Sequence, residues 1–274
     1  MSPDFSIVTP SFNYGSYIAD CLQSVAAQEG VSFEHLVMDA GSSDDTAAVV
    51  GNFPHARFFQ EPDRGMSDGI NKGFRKATGK WVMWLNADDR LRPGALARVK
   101  AFAETRPTSD VIYGCWNFID AEGGFLRRMT LFPFDKWMLI LDACYLGSTA
   151  CFYRLATTID AGFLLDEDFQ LCMDGEFYAR LAIAGKRFDY LPAVLAEFRL
   201  HGQSISQGNL GKRDLHSILK HQRLLAEPRA IRRAYGATPF ANDHLNMGFD
   251  CITHLAYRAK KRLLRLLHRH RVID

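Results

Sequence analysis

Two neighbouring carboxylates, Asp88 and Asp89, directly follow the apolar segment Trp81–Leu85. Adjacent carboxylates repel each other, so placing them at a strand end requires a cation or several hydrogen-bond donors. Hard divalent cations such as Mg²⁺ and Mn²⁺ prefer oxygen ligands and keep coordination positions for phosphate oxygens. The pair therefore indicates a metal site. The sequence equally allows Asp89 to cap the next helix while Asp88 stays solvated.

Asp39 closes another apolar segment, just before a turn rich in Gly and Ser. A carboxylate there can accept hydrogen bonds from a base or a ribose hydroxyl, or it can form an Asx turn. Arg64 and Lys72 lie in the segment 61–73, which is dense in Gly and charged residues. Their charges could meet phosphate groups, although an ordinary loop and an exposed helix face would have the same composition.

Two further residues, Asp174 and His201, have types that suit catalysis or metal binding. Asp174 precedes an amphipathic helix, whose dipole favours the ionised carboxylate. Such a carboxylate can act as a general base near a hydroxyl group, or it can simply cap the helix. His201 follows an expected strand and becomes relevant only if the fold brings it close to Asp89.

The elements that must position these residues alternate between strands and helices over the first 115 residues. This alternation predicts an α/β fold with βαβ units and a mainly parallel sheet. Ligands in such sheets bind beyond the carboxyl ends of the strands, which is where the acidic residues fall. The expected strands are 5–9, 33–38, 56–60, 81–85 and one from 110, with helices at 16–28 and 66–77 and a further helix opening near 46.

The pattern changes after residue 114. The simplest division is a mixed α/β domain over 1–206 and a helical C-terminal extension over 207–274. Expected elements are a hairpin of 115–119 and 125–130 around the turn 122–124, a helix at 134–141, a strand at 149–153, a helix at 174–184, strands at 188–191 and 194–200 around Pro192, and helices from about 209.

Composition excludes several classes. The chain has 274 residues, of which 47% are hydrophobic and 23% are charged, as in ordinary globular proteins. No segment is apolar enough to span a membrane, and the residues 1–10 lack the basic residues of a signal peptide. Six cysteines without a CxxC pair are typical of reduced thiols in a cytoplasmic protein.

The charge is unevenly distributed. Residues 251–273 hold seven Lys and Arg and no acid, whereas the rest of the chain has 26 basic and 31 acidic residues. Such an acidic body is not typical of nucleic-acid binders, so we expect no nucleic-acid partner. The chain also lacks GxGxxG, GxxxxGK[ST], GxSxG and HExxH motifs.

In their order along the chain, these signals resemble the family 2 glycosyltransferases with a GT-A fold, a Rossmann-like sheet flanked by helices. The resemblance extends from about residue 4 to 206. It implies a metal-dependent transferase, with Mn²⁺ or Mg²⁺, that moves a sugar with inversion from a nucleotide-sugar donor, with UDP-sugars favoured. The segments that carry it are SIVTPSFNYGSYIADCLQSVAAQ, MDAGSSDDT, EPDRGMSDGINKGFRKATGKWVMWLNADD, STACFYR, MDGEFYARL and FRLHGQSIS.

The resemblance also implies residue roles. Asp174 corresponds to the catalytic base, Asp89 to the direct metal ligand, and His201 to a histidine that completes the metal site. Asp88 corresponds to a residue near the ribose or the sugar. In this family the position before Asp174 usually holds Glu, whereas here it is Met173. This difference puts in question whether the chain binds its acceptor as the family does. The other implied donor contacts are Thr9, Pro10, Phe12, Asp39, Arg64, Gly65, Asn71 and Lys72.

The implied acceptor is a hydroxyl of a glycan or a lipid-linked acceptor in bacterial surface polysaccharide synthesis. The basic segment Tyr257–Arg271 has helical spacing. It could lie on an anionic membrane, pack on the body, or bind another anionic partner. We expect a cytoplasmic protein. If the segment lies on a membrane, the protein makes peripheral contact with the inner face of the cell membrane. The apolar side would comprise Ala256, Ala259, Leu263, Leu266 and Leu267.

Two alternatives stay open. A nucleotidyltransferase shares the sheet and the acidic site, but it usually carries a basic Gly-rich loop after the first strand, and the segment 10–15 has no basic residue. A non-catalytic module that binds nucleotide sugars or membranes would have no need for Asp89, Asp174 and His201 together.

Overall fold

The structure is a computed structural model that describes residues 2–142, 144–202, 227, 230–235 and 243–274. The expected domain boundary at 206 and the start of the helical region near 209 lie outside these residues. The division into two domains therefore stays a prediction.

The N-terminal half forms four parallel strands in the order β3-β2-β1-β4. All seven residues of β1 are buried. Helices cover both faces of such strands, which is why they appear in the sequence as continuous apolar segments. The expected βαβ units are confirmed. The elements are β1 (Phe5–Ser11), α1 (Gly15–Ala26), β2 (Phe33–Asp39), α2 (Thr46–Val50), β3 (Ala56–Gln60), α3 (Met66–Lys76) and β4 (Trp81–Trp84).

The second half adds strands of both directions. Beyond β4 the sheet continues in the order β8-β6-β9-β5, and β7 pairs with β6. β8 runs antiparallel to both of its neighbours, whereas β9 runs parallel to β6. The elements are β5 (Arg90–Leu91), α4 (Ala95–Glu104), β6 (Val111–Ile119), β7 (Phe125–Met129), α5 (Lys136–Leu141), β8 (Cys151–Arg154), α6 (Met173–Ile183) and β9 (Phe188–Arg199).

β9 differs from the expectation of two strands around Pro192. It is one continuous strand, and its register against β6 shifts between the pairs Tyr113–Tyr190 and Cys115–Val194. Proline cannot donate to a sheet ladder and is tolerated at such irregularities. Pro192 therefore lies at a bulge within one strand and does not divide it into two strands.

The core holds the helices firmly against the sheet. The rings of Trp84 on β4 and Tyr153 on β8 stack with centroids 5.5 Å apart, and Phe177 of α6 lies 5.3 Å from Tyr153. On the same face of the sheet, a Cβ placed on Gly73 would lie 2.3 Å from Cγ1 of Val8. Only glycine allows α3 to approach β1 so closely.

The C-terminal helix α7 (Asp243–His268) is docked on the body. Tyr257 and Leu264 pack against the core. After the helix, Ile273 forms a parallel bridge with Ala193, and its N–H donates to the Pro192 carbonyl over 2.8 Å. None of the helices in the described ranges is long and apolar enough to cross a membrane.

Candidate functional site

The fold brings His201 to the acidic pair. Asp88 and Asp89 follow β4, and His201 lies two residues beyond β9. The Nε2 of His201 is 2.9 Å from Oδ2 of Asp88. The imidazole also stacks on the Tyr17 ring, with centroids 4.3 Å apart, and lies 6.1 Å from the Tyr14 ring. The direct contact of His201 is thus with Asp88, whereas the sequence analysis required proximity to Asp89, so the metal-binding role of His201 stays a prediction.

Asp89 is buried with incomplete compensation of its charge. It is 1% exposed, and its Oδ1 accepts a hydrogen bond from the backbone N–H of Arg199 at 2.9 Å. Burial, followed by the neighbouring Asp88, raises the pKa of Asp89 well above its usual range. The buried Oδ1 of Asn86 has no hydrogen-bond partner among the described residues. A bound cation would compensate the charge of Asp89 and would give the Asn86 oxygen a partner.

Arg199 lies beneath the acidic pair and is only 1% exposed. Its Nε donates to the carbonyl of Asp88 over 2.9 Å, and its guanidinium also reaches Asp20 at 2.7 Å and the carbonyl of Ala121 at 2.7 Å. The sequence analysis missed this residue. The sequence did contain a signal for it, because Arg199 is a charged residue at the end of a largely apolar strand, two positions before His201.

The donor atoms at this position fit a hard divalent metal ion. Asp89 offers carboxylate oxygen, which suits Mn²⁺ and Mg²⁺, and His201 offers an imidazole nitrogen, a common metal ligand. Within the part of the chain that the structure describes, no three His, Cys, Asp or Glu side chains are grouped to hold a metal.

Asp39 forms the Asx turn that the sequence allowed. Its Oδ1 accepts hydrogen bonds from the backbone N–H groups of Gly41 and Ser42 at 3.0 and 2.7 Å, and its Oδ2 accepts one from the Ser42 hydroxyl at 2.5 Å. Beside it, Ser11 is paired with Asp39 in the sheet register. The Ser11 hydroxyl is buried without a hydrogen-bond partner among the described residues. Ser11 is thus a binding candidate that the sequence analysis did not select.

The other residues at the end of β1 differ in accessibility. The Thr9 hydroxyl is buried and lies 2.8 Å from Nε2 of His35, so it is engaged inside the protein. Pro10 is buried in the strand opposite Met38. Phe12 is 57% exposed and directly available to a ligand. The donor contacts of these three residues stay predictions.

The segment before α3 is a network of charges. Arg64 is exposed and pairs with Glu167 at 2.5 Å and with Asp68 at 3.6 Å, while Lys72 pairs with Asp68 at 3.3 Å. Gly65, at a φ of 130°, begins the helix. Its conformation is one that L side chains rarely adopt. Both cations therefore have acidic partners, and phosphate would have to compete with them.

Asn71 has a structural position. Its side chain exchanges two hydrogen bonds with the backbone of Leu165, each at 2.9 Å, and it is 1% exposed. It ties α3 to the loop that precedes α6. A donor contact of Asn71 stays a prediction.

Asp174 lies in the first turn of α6. Burial raises the pKa of its carboxyl group to about 6, and the hydrogen bond from the N–H of Gly175, at 2.7 Å, acts in the opposite direction. The preceding Met173 accepts a hydrogen bond at its sulfur from the Ser67 hydroxyl over 3.0 Å. The unusual methionine therefore links α6 to the first turn of α3.

Glu227 holds the loop before α6. Its carboxylate accepts hydrogen bonds from three consecutive backbone N–H groups, those of Gln170, Leu171 and Cys172, at 3.2, 3.0 and 2.8 Å. This contact fixes the approach to Asp174. No local sequence signal could have found it, because the partners are more than 50 residues apart.

A mostly parallel sheet flanked by helices, with an acidic pair after β4 and His201 just beyond β9, gives this chain the architecture of the GT-A proteins. Residues 6–161 match the family model of Glycosyl transferase family 2, and the chain belongs to this family. The fold and family predictions are therefore confirmed.

Curated relatives cover part of the same range. The chain is 36% identical over 159 residues to a PGL/p-HBAD biosynthesis glycosyltransferase of Mycobacterium bovis, covering 56% of this chain and 60% of that protein. It is 25% identical over 208 residues to chondroitin synthase of Escherichia coli, covering 74% of this chain and 30% of that one. The matched region thus spans less than two thirds of each relative.

Solved structures share the fold. S. aureus TarS 1–349 in complex with UDP-GlcNAc superposes with a TM-score of 0.64 at 19% identity, covering 88% of this chain and 76% of that one. Mannosyltransferase PcManGT from Pyrobaculum calidifontis in complex with GDP-Man and Mn²⁺ gives 0.58 at 16% identity, covering 98% and 86%. At these identities the likeness shows the GT-A fold alone.

Proposed function

We propose that this protein is a metal-dependent, inverting glycosyltransferase. It moves a sugar from a nucleotide-sugar donor to a hydroxyl group of a glycan or of a lipid-linked acceptor. The observation that carries the proposal is the convergence of Asp88, Asp89 and His201 at the carboxyl end of the sheet. The link between Met173 and Ser67 joins the helix of Asp174 to the charged segment that begins α3.

The donor is a nucleoside diphosphate sugar, with a UDP-sugar favoured. Two structural neighbours hold such donors, UDP-GlcNAc and GDP-Man. In this chain, the exposed Phe12 and the unpartnered hydroxyl of Ser11 lie at the end of β1. Both can contact a nucleoside bound over the sheet.

Asp89 and His201 would hold the metal ion, which as a Lewis acid offsets the negative charge on the departing diphosphate. Asp174 acts as the general base. Its carboxylate accepts the proton of the acceptor hydroxyl while the hydroxyl oxygen bonds to the anomeric carbon and the nucleoside diphosphate departs. With a pKa of about 6, most of the carboxyl group is ionised at neutral pH, so it can accept this proton.

The acceptor belongs to surface glycan or glycolipid synthesis. The relatives described above, a PGL/p-HBAD biosynthesis glycosyltransferase and chondroitin synthase, support this class. A cytoplasmic location is supported by the buried free thiols of Cys21, Cys115 and Cys151. Peripheral contact with an anionic membrane through Tyr257–Arg271 would bring the enzyme to such acceptors.

Thermal unfolding with UDP, GDP, dTDP, UDP-GlcNAc and GDP-mannose tests the proposal, each with Mn²⁺ and with EDTA. A ligand of the folded state raises the unfolding temperature. We expect one nucleotide to do so only with metal, and we expect Asp89→Asn to lose this shift. Asp174→Asn should keep the shift but should no longer release the nucleoside diphosphate from the donor. Asp160→Asn replaces an exposed acid and serves as the matched control. The absence of a shift with every nucleotide would contradict the proposal.

A further inference from the structure

Helix α7 is fixed to the body by one side. Tyr257 and Leu264 pack on the core, Lys260 donates a hydrogen bond to Asp135 at 2.5 Å, and the ring of His268 lies 6.1 Å from that of Tyr190. At 3.6 residues per turn these positions form a single stripe. This side differs from the apolar side that the sequence spacing indicated.

The indicated apolar side faces outward. Its three leucines, joined by the neighbouring Leu255, form a second stripe along α7, which we call the leucine stripe, and each of the four is more than half exposed. Large apolar side chains grouped on a surface mark a site of interaction with another molecule or with a membrane. The members of the leucine stripe are Leu255 at 67%, Leu263 at 58%, Leu266 at 64% and Leu267 at 59% exposure.

A groove rich in arginine runs between α7 and β7, next to the leucine stripe. We call it the arginine groove. The groove consists of two cavities on the same side of α7. The first has a volume of about 850 Å³ and the second a volume of about 730 Å³. Arg262 and Arg265 line both cavities. The first cavity also contains Arg127 and Arg128 from β7 and Arg269, which directly follows α7, and the second contains Arg258 and Lys261.

The cations in the arginine groove outnumber the acids that face them. Two acids lie there, Asp274 paired with Arg128 and Asp142 paired with Lys261. The Nε of Arg265 is buried and has no hydrogen-bond partner among the described residues. Burial, followed by the charge of Arg127, lowers the pKa of Arg265. An anion bound in the groove would compensate this charge and give Arg265 a partner.

The apolar residues beside the groove indicate the kind of anion. Phe125 and Leu126, in the hairpin strand β7, are 64% and 50% exposed. Phe125 and Leu266 line the same cavity as the arginines. Phosphate binds the arginine fork through charge-assisted hydrogen bonds, while exposed leucine and phenylalanine side chains favour the acyl region of a bilayer. A nucleic acid or an acidic peptide would match the charge but not the apolar stripe.

We propose that the arginine groove binds the phosphate headgroups of an anionic bilayer, while the leucine stripe, together with Phe125 and Leu126 of β7, enters the membrane interface. This inference deepens the membrane contact proposed above by assigning it to residues of β7 as well as α7. It does not depend on the transferase reaction.

Sedimentation of the full chain with vesicles tests the inference. Phosphatidylcholine vesicles are compared with vesicles that also contain phosphatidylglycerol. The wild-type chain should bind only the anionic vesicles, and high salt should weaken the binding. Arg262→Gln with Arg269→Gln, at two exposed positions, should lower the binding constant about 25-fold, because each basic residue near an anionic surface contributes about five-fold.

Arg127→Gln distinguishes the groove from the helix alone. We expect about a five-fold loss for this exposed residue of β7, whereas binding through α7 alone would leave the constant unchanged. Arg106→Gln with Lys80→Gln, at exposed positions outside α7 and β7, is the charge-matched control. Wild-type binding by both groove variants, or equal binding of the wild-type chain to both vesicle types, would overturn the inference. The metal-dependent nucleotide shift of the same samples reports separately on the proposed function.

Discussion

Removing the charge of Asp174 should stabilise the protein while abolishing the proposed reaction. Burial raises the pKa of Asp174 to about 6, whereas an aspartate in an unfolded chain has a pKa of about 3.9. This difference corresponds to a destabilisation of the folded state by about 3 kcal/mol at neutral pH. In Asp174→Asn, the amide oxygen can still accept the hydrogen bond from Gly175. We therefore expect a gain of up to about 3 kcal/mol.

The pH dependence gives the sign of the effect. The pKa is higher in the folded than in the unfolded state, so the stabilising contribution of protonated Asp174 is fully present below about pH 4 and is lost as the pH rises through about 6. The advantage of the Asn variant should consequently be about 3 kcal/mol at about pH 8, about half of that at about pH 5, and near zero at lower pH.

Urea denaturation, followed by tryptophan fluorescence without ligands, measures this difference at each pH. Asp160→Asn, at an exposed acid, should change the free energy of unfolding little at any pH. An Asn variant that is no more stable than wild type at high pH, or whose gain does not shrink as the pH falls, would refute the reasoning. Turnover that survives in Asp174→Asn would separately remove Asp174 as the base.

Three further substitutions test the supports of the site. Arg199→Met leaves buried acceptors around Asp88 unpaired, and urea denaturation should show a loss of about 3–5 kcal/mol; an unchanged midpoint would contradict the role of Arg199. Glu227→Gln weakens the three N–H contacts before α6, so we expect a loss of about 1–3 kcal/mol and slower turnover with unchanged nucleotide affinity. Gly73→Ala places a Cβ against Val8 and should cost about 1–3 kcal/mol by thermal unfolding, whereas a neutral result would mean that α3 can move away from β1.

The parallel half of the fold could be predicted because its signals are local. Each of β1 to β4 contains a short apolar run and is followed by turn residues, and one helical segment separates each of these strands from the next along the chain. The two-residue strand β5 carries no such signal. β9 looked like two strands because a bulge around Pro192 depends on its partner β6, which the sequence near Pro192 does not specify.

In the candidate site, too, the sequence revealed the residues with local signals but not those whose role depends on distant contacts. The acidic residues after the strands stood out by type and position, and the resemblance supplied their roles, which stay predictions. The supports of the site did not stand out, because Arg199 is 110 residues from Asp89 and Glu227 is 55 residues from Cys172. Likewise, spacing identified the apolar side of α7 but not which side faces the body, since that depends on the surface against which Tyr257 and Leu264 pack.

The separation of Asp89 from its partner on β9 also governs how the protein is made. Ribosomes add roughly 5–20 residues per second, so about 5–20 s pass between synthesis of the acidic pair and of Arg199, which follows 110 residues later. During that time the parallel strands can assemble, but Asp89 lacks the backbone N–H of Arg199 and Asp88 lacks His201. A nascent chain thus completes the proposed nucleotide site only when β9 joins the sheet. Binding of a nucleotide to stalled chains of increasing length would begin only after residue 201 has left the ribosome.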